Sequence, residues 1–229
     1  MILKSGIRYT EYAIMALFPQ NAEDAVQAAI ATLQRLRQNG VVGTWLRPVS
    51  TETERSGAGH AASLQIGVGL HTGNLMLGIV GEKERMQGDI FSDAVNLTSR
   101  IEGLSKLYGV SIVVSENTLS LMPHRDSYHT RFLGKIQVVG KREFVPLFEI
   151  YDGDPAEIIE LKLKTKADFE EGLHLYFAKE FAEAAPRFKN VLKTNSDDKT
   201  AKLYLERSAQ FMVQGVPEEW EGVEAVESK

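Results

Sequence analysis

The stretch GDIFSDAVNLTSRIEGL, residues 88–104, decides how the chain is read. It packs Asp89, Asp93, Asn96 and Arg100 into a little over three turns' worth of helix. Asn96 and Arg100 are four apart, so a helix puts them on one face. Val95, Leu97, Ile101 and Leu104 supply its apolar positions. On periodicity alone, a solvated polar face is the simpler reading of Asn96 and Arg100, and a functional site is the alternative. Asp93 stands where an N-cap belongs. Asp89 reads equally as a loop aspartate or as part of a site.

Working outward, Gly109 closes a helix predicted over 93–108. Upstream, SLQIGVGLHTGNLMLGIVG (63–81) is two apolar runs around His71-Thr72-Gly73-Asn74, which predicts a β-hairpin. His71 has no evident partner and reads as a turn or packing histidine. Still further upstream, AIMALFP (13–19) predicts a buried strand closed by proline. NAEDAVQAAIATLQRLRQNG (21–40) predicts a helix capped by Asn21 and ended by Gly40. Residues 47–62 read as a polar loop. Downstream, VSIVVS (110–115) is a strand and ENTLSLM (116–122) a short helix. Residues 129–139 and 143–151 are two more strands, turning at Gly140-Lys141. This ordering indicates an α+β sandwich rather than a doubly wound sheet.

The composition shifts after Asp152-Gly153-Asp154-Pro155. Residues 153–165 read as a linker. From Lys166 the pattern is helical, three helices of about 12 to 15 residues each. Gly172, Ala184 and Phe188 stand where a tetratricopeptide unit puts its small and aromatic packing residues. Phe169, Tyr176, Phe181 and Phe188 recur at core spacing, and Trp220 fastens the end. About one and a half such units is less than a free-standing array needs, so the tail is expected to pack on the preceding domain or on a protein partner.

The bulk numbers narrow the function classes. The 229 residues are 43% hydrophobic and 25% charged, with 26 basic and 31 acidic residues for a net charge of −5. No basic block supports nucleic-acid binding. The absence of cysteine removes disulfides, thiolate catalysis and Cys-ligated zinc, and fits a reducing, cytoplasmic setting. No apolar run approaches the ~20 residues of a membrane span, and MILKSGIRYTEY has no signal-peptide core.

IGVGLHTGNLMLGIVGEKERMQGDIFSDAVNLTSRIEGLSKLYG (66–109) resembles the second half of a class III nucleotidyl cyclase domain, the adenylate and guanylate cyclases. The GLHTG hairpin, the SDAVNLTSR helix and the KIQVVGKREFVPLFEIY hairpin (135–151) follow the family's order, and the similarity runs from about Ile7 to Tyr151. The resemblance implies a ferredoxin-like cyclase sandwich over 1–152, with the first strand and helix missing. Residues 166–229 resemble the tetratricopeptide-like extension after some bacterial cyclase domains.

The family converts ATP or GTP to a cyclic monophosphate and pyrophosphate, with Mg²⁺ or Mn²⁺ held by two aspartates, at a site shared between two cyclase domains. Carried over residue by residue, Asn96 would orient the ribose. Arg100 would stabilise charge on the α-phosphate. Asp89 would read the base together with Arg8, which takes the place of the family's lysine. Lys141 stands two residues after Val139, where the family has its phosphate-binding lysine. The metal half has no counterpart: Glu11 and Tyr12 occupy the places of the family's glycine and second aspartate, and a phenol is a poor ligand for a hard divalent ion. The resemblance therefore implies a chain inactive alone that works beside a metal-competent subunit, as a homo- or heterodimer. Two alternatives stay open: a non-catalytic regulatory module whose tail holds a partner, and a gene fragment that has lost its upstream half. The missing strand belongs in the middle of the family's sheet, so apolar surface is expected near its place.

Overall fold

The computed structural model describes residues 14–40, 65–80, 87–91, 93–137 and 143–224, with the backbone alone for 76–80, 87–91 and 223–224. Helix α1 runs Ala22–Gln38. Asn21 Oδ1 accepts from the Glu23 N–H at 2.9 Å, satisfying an amide that the first turn leaves open. Glu23 and Asp24 in the first turn and Arg35 and Arg37 in the last complement the helix dipole. Gly40 ends it with φ +66°.

Strands β1 (Val68–Leu70), β4 (Ile112–Ser115), β5 (Thr130–Gln137), β6 (Phe144–Ile150) and the two-residue β7 (Val223–Glu224) form one sheet in the order β1-β4-β6-β5-β7. The β1–β4 and β5–β7 pairs are parallel and the two others antiparallel. Strands β2 (Met76–Val80) and β3 (Gln87–Phe91) make a separate antiparallel ribbon. Helix α2 spans Asp93–Tyr108, α3 Glu116–Leu119, α4 Ala156–Phe177, α5 Phe181–Thr194 and α6 Lys199–Gln214.

The pleat sorts the core into two layers. On β4, Ile112 and Val114 point to the side where α1 buries Ala25, Val26, Ala29 and Leu33. Val113 points the other way, with Leu133, Ile136, Val145 and Leu147, to meet Ile101, Leu104 and Tyr108 of α2. The same layer continues without a break into Phe169, Leu173, Tyr176, Phe188 and Tyr204 of the tail. The tail thus packs on the sandwich, as expected, and Trp220 closes it against Tyr176, Phe181 and Phe211.

Four expectations are corrected. The hairpin over 63–81 does not form as such: β1 pairs with β4, while β2 turns back onto β3. The signal was in β1 itself, where Val68, Gly69 and Leu70 are all buried, the mark of a strand covered on both faces. AIMALFP is not a buried strand. Met15 makes a single bridge, and Ile14, Met15 and Leu17 are 52%, 43% and 42% exposed. Apolar composition favours burial but cannot supply the neighbour strand that would achieve it. Leu75 is likewise 39% exposed. Residues 156–165, read as linker, are the first turns of α4. Asp93 is the first helical residue of α2 rather than its cap.

One close approach sets the height of α2 above the sheet. A Cβ on Gly69 would lie 2.5 Å from the Glu102 N and 2.7 Å from the Thr98 O, both backbone atoms that cannot rotate away. Gly69→Ala is expected to destabilise the chain by about 1–3 kcal/mol through overpacking, read as a lower urea midpoint.

Candidate functional site

Helix α2 buries Leu97, Thr98, Ile101, Leu104, Ser105 and Tyr108. That stripe recurs at three and four, and it turns Asn96 and Arg100 away from the core. Asn96 is exposed and Arg100 half-buried, one turn apart on the same face. Among the described residues no carboxylate pairs with Arg100. Inside the same turns, the Thr98 hydroxyl donates back to the Ala94 carbonyl at 2.6 Å, so a polar residue on the buried side is satisfied within the helix. Asp89 lies on β3 opposite Gly78, shortly before α2 begins. Arg8 and Lys141 lie outside the described residues, as do Glu11, Tyr12 and Val139. The structure therefore brings Asn96 and Arg100 together and places the Asp89 backbone on the strand leading into their helix.

A hollow of about 90 Å³ opens beside the first turns of α2, between Ala94, Val95, Met15 and Leu17 and a polar edge of His71, Thr72 and Thr118. His71 does have a partner, which no sequence signal revealed across 44 residues of separation. Its Nδ1 lies 2.8 Å from the Ser115 Oγ. Ser115 and Thr118 are 3.2 Å apart, and Thr118 and Thr72 3.1 Å, so the hydroxyls form a chain. Burial pushes the His71 pKa down, which keeps the ring neutral at neutral pH and makes it a packing group.

The larger omission is a buried ionic network. Arg131 on β5 donates from Nε to Glu149 Oε2 at 3.0 Å and from Nη1 to Asp198 Oδ2 at 2.6 Å. Lys162 of α4 donates to Glu149 Oε1 and, at 2.7 Å, to Asp154 Oδ2. Arg37 of α1 completes the chain, with Nη2 at 3.3 Å from Asp154 Oδ1 and 3.0 Å from Ser111 Oγ. Arg131, Glu149, Lys162 and Asp198 are each at most 2% exposed. Three cations meet three carboxylates, so the cluster is neutral overall. Burial works against the Lys162 and Asp198 charges, but their neighbours win. Asp154 and Glu149 hold the Lys162 ammonium above its usual pKa, and Arg131 holds Asp198 below the usual carboxylate range. Arg131 also stacks over the Phe169 ring at 4.1 Å. The sequence clue was a charged residue inside each of two apolar strands, Arg131 and Glu149, though nothing local names their partners.

The divalent ions implied for the family find no donor set here: among the described residues, no group of three or more His, Cys, Asp or Glu comes together. Among the same residues, no helix is long and apolar enough to cross a membrane.

Residues 14–149 match the model of the adenylate and guanylate cyclase catalytic domain. The chain is 31% identical over 204 residues to a terminal-differentiation-specific adenylate cyclase of Dictyostelium discoideum, which covers 86% of this chain and 9% of that protein. It is 33% identical over 145 residues to an adenylate cyclase of Anabaena cylindrica, with coverage of 62% and 27%. Among solved structures it is similar to a bacterial light-regulated adenylyl cyclase, with TM-score 0.46, 18% identity, and coverage of 67% of this chain and 42% of that one. The chain spans less than a third of the length of either sequence relative.

Proposed function

The chain belongs to the adenylate and guanylate cyclase catalytic-domain family, and from that membership we propose that it supplies the ribose- and phosphate-facing half of a composite cyclase site shared with a second cyclase domain. The substrate is ATP or GTP and the products are a cyclic monophosphate and pyrophosphate. The observation that carries this reading is the shared, core-averted face of α2 that presents Asn96 beside Arg100.

On this reading Asn96 hydrogen-bonds the ribose and fixes its orientation. Arg100 places a planar, permanently charged guanidinium where negative charge grows on the α-phosphate. Asp89 and Arg8 contact the base, and Lys141 a phosphate. Mg²⁺ or Mn²⁺ activates the ribose hydroxyl and neutralises phosphate charge in the family. With Glu11 and Tyr12 at the places of the family's glycine and second aspartate, the partner domain would hold the ions.

The test is complementation. The chain is mixed with a metal-competent cyclase domain, nucleotide and Mn²⁺, and cyclic AMP or cyclic GMP is measured. A rate above that of the partner alone is expected, and running ATP and GTP in parallel reads the base preference.

A second reading is a non-catalytic regulatory module with a tetratricopeptide-like tail. It is favoured by Tyr12 at the place of the family's second aspartate and by the tail packing, in which Gly172 leaves room for the Phe188 ring, about 2.9 Å from where a Cβ would sit. No gain on mixing supports this second reading; tight metal-dependent ATP binding by the isolated chain counts against it.

A further inference from the structure

Helix α2 ends at Tyr108, whose carbonyl is one of the four that no helical amide can satisfy. Its partner comes from the tail. Thr200 Oγ1 donates to the Tyr108 carbonyl at 2.8 Å, in a buried contact. Thr200 is held in turn, with Arg131 Nη2 3.4 Å from its Oγ1. Asp198 grips Arg131 through Oδ2 while its Oδ1 caps α6 by accepting from the Ala201 N–H at 3.0 Å. Gly109, at φ +68°, presses on the Lys199 stem: a Cβ there would lie 2.5 Å from Lys199 Cδ. Thr200, Asp198 and Arg131 are all buried.

A helix behaves as a nearly rigid rod, and one contact point leaves it free to pivot. Helix α2 has two. Near its middle, Thr98 and Glu102 sit on Gly69 of β1. At its end, Tyr108 is tied to α6. Together with the buried stripe on the sheet they restrict the tilt and rotation of the helix, and with them the direction in which Asn96 and Arg100 face.

We infer that Thr200 and Asp198 are positioning residues for α2, so that the helical tail braces the helix bearing Asn96 and Arg100 through a buried clamp at Tyr108. The catalytic part of this inference rests on the composite-site reading; the mechanical part does not. A tail ligand or partner that shifts α6 would thereby alter the site without touching it.

Hydrogen exchange on the full chain tests the clamp. In Thr200→Val, amides over 97–108 are expected to exchange about tenfold faster, while those of β6 keep their wild-type rates. Thr200→Ser keeps the hydroxyl and is expected to restore protection. Unchanged exchange in α2, or equal acceleration in β6, overturns the clamp. If Thr200→Val does not fold, Thr200→Ala removes the hydroxyl without a second methyl and is read in the same way.

In the complemented pair, Thr200→Val is expected to lower kcat about tenfold with the ATP KM changed by less than about twofold. Faster exchange in α2 with unchanged kcat overturns the positioning role. A wild-type pair with no activity sinks the composite-site reading instead, and the exchange data then decide the clamp alone.

Discussion

Arg131→Met is expected to lower the unfolding free energy by about 3–5 kcal/mol, a large part of the roughly 5–15 kcal/mol that holds a domain folded. The reason is what remains. Asp198 loses the cation 2.6 Å away, and Glu149 keeps only Lys162. A formerly neutral cluster becomes an anionic one in a site that water does not reach. Urea unfolding gives the measurement. Adding Asp198→Asn and Glu149→Gln is expected to recover part of the loss, because amides remove the orphaned charges and Asn still caps α6.

The pH dependence follows from Asp198. Burial raises its pKa, but Arg131, by charge and hydrogen bond, and the Ala201 N–H outweigh burial, so its folded value lies below the unfolded one. A carboxylate lowered in this way contributes stability that is fully present above its unfolded pKa of about 4 and is lost as pH falls through the folded value. Wild-type protein is therefore expected to lose stability below about pH 4. In Arg131→Met burial is opposed only by the Ala201 N–H and Lys162, and the acid transition is expected to begin at a higher pH. Thermal melts of both proteins across the acid range check the order of the two transitions.

Arg100→Ala is expected to remove the gain in cyclic nucleotide synthesis on mixing, a loss of about 10²–10³ in rate. A guanidinium aimed at developing phosphate charge acts mainly in the transition state, so kcat falls more than the ATP KM rises. Arg100→Lys is expected to recover only part of the rate, since an ammonium lacks the planar fork. The side chain is half-buried on the outer face of α2 and pairs with no carboxylate among the described residues. Stability is therefore expected to change by no more than about 0.5 kcal/mol, which unfolding of the same variant verifies. Loss of rate together with loss of fold would instead mark Arg100 as a structural residue.

The ends of helices were legible because their signals are local. Asn21, Gly40 and Gly109 act on amides and backbone angles a few residues away, and α1 and α2 end where these residues say. The β5–β6 pairing was legible for the same reason: two strands close together in the sequence have little choice but to pair. The partner of β1 was not. Its parallel neighbour β4 lies beyond α2, and an apolar run carries no record of which distant strand it will meet. The reading of 156–165 as linker failed because its charged residues conceal the periodic positions Ile158 and Thr165, which are buried.

The chain's sequence alone determined its family and the placement of Asn96 and Arg100 on one helical face, since both depend on residue identity and a fixed spacing of four. Tertiary structure decided how that face is held. Arg131, Glu149, Lys162 and Asp198 are far apart in the chain, and each would be an ordinary solvated charge until folding removed water from all of them together. Coulomb attraction strengthens as the surrounding dielectric falls, so the network that joins the tail to the sandwich exists only once the fold has enclosed it.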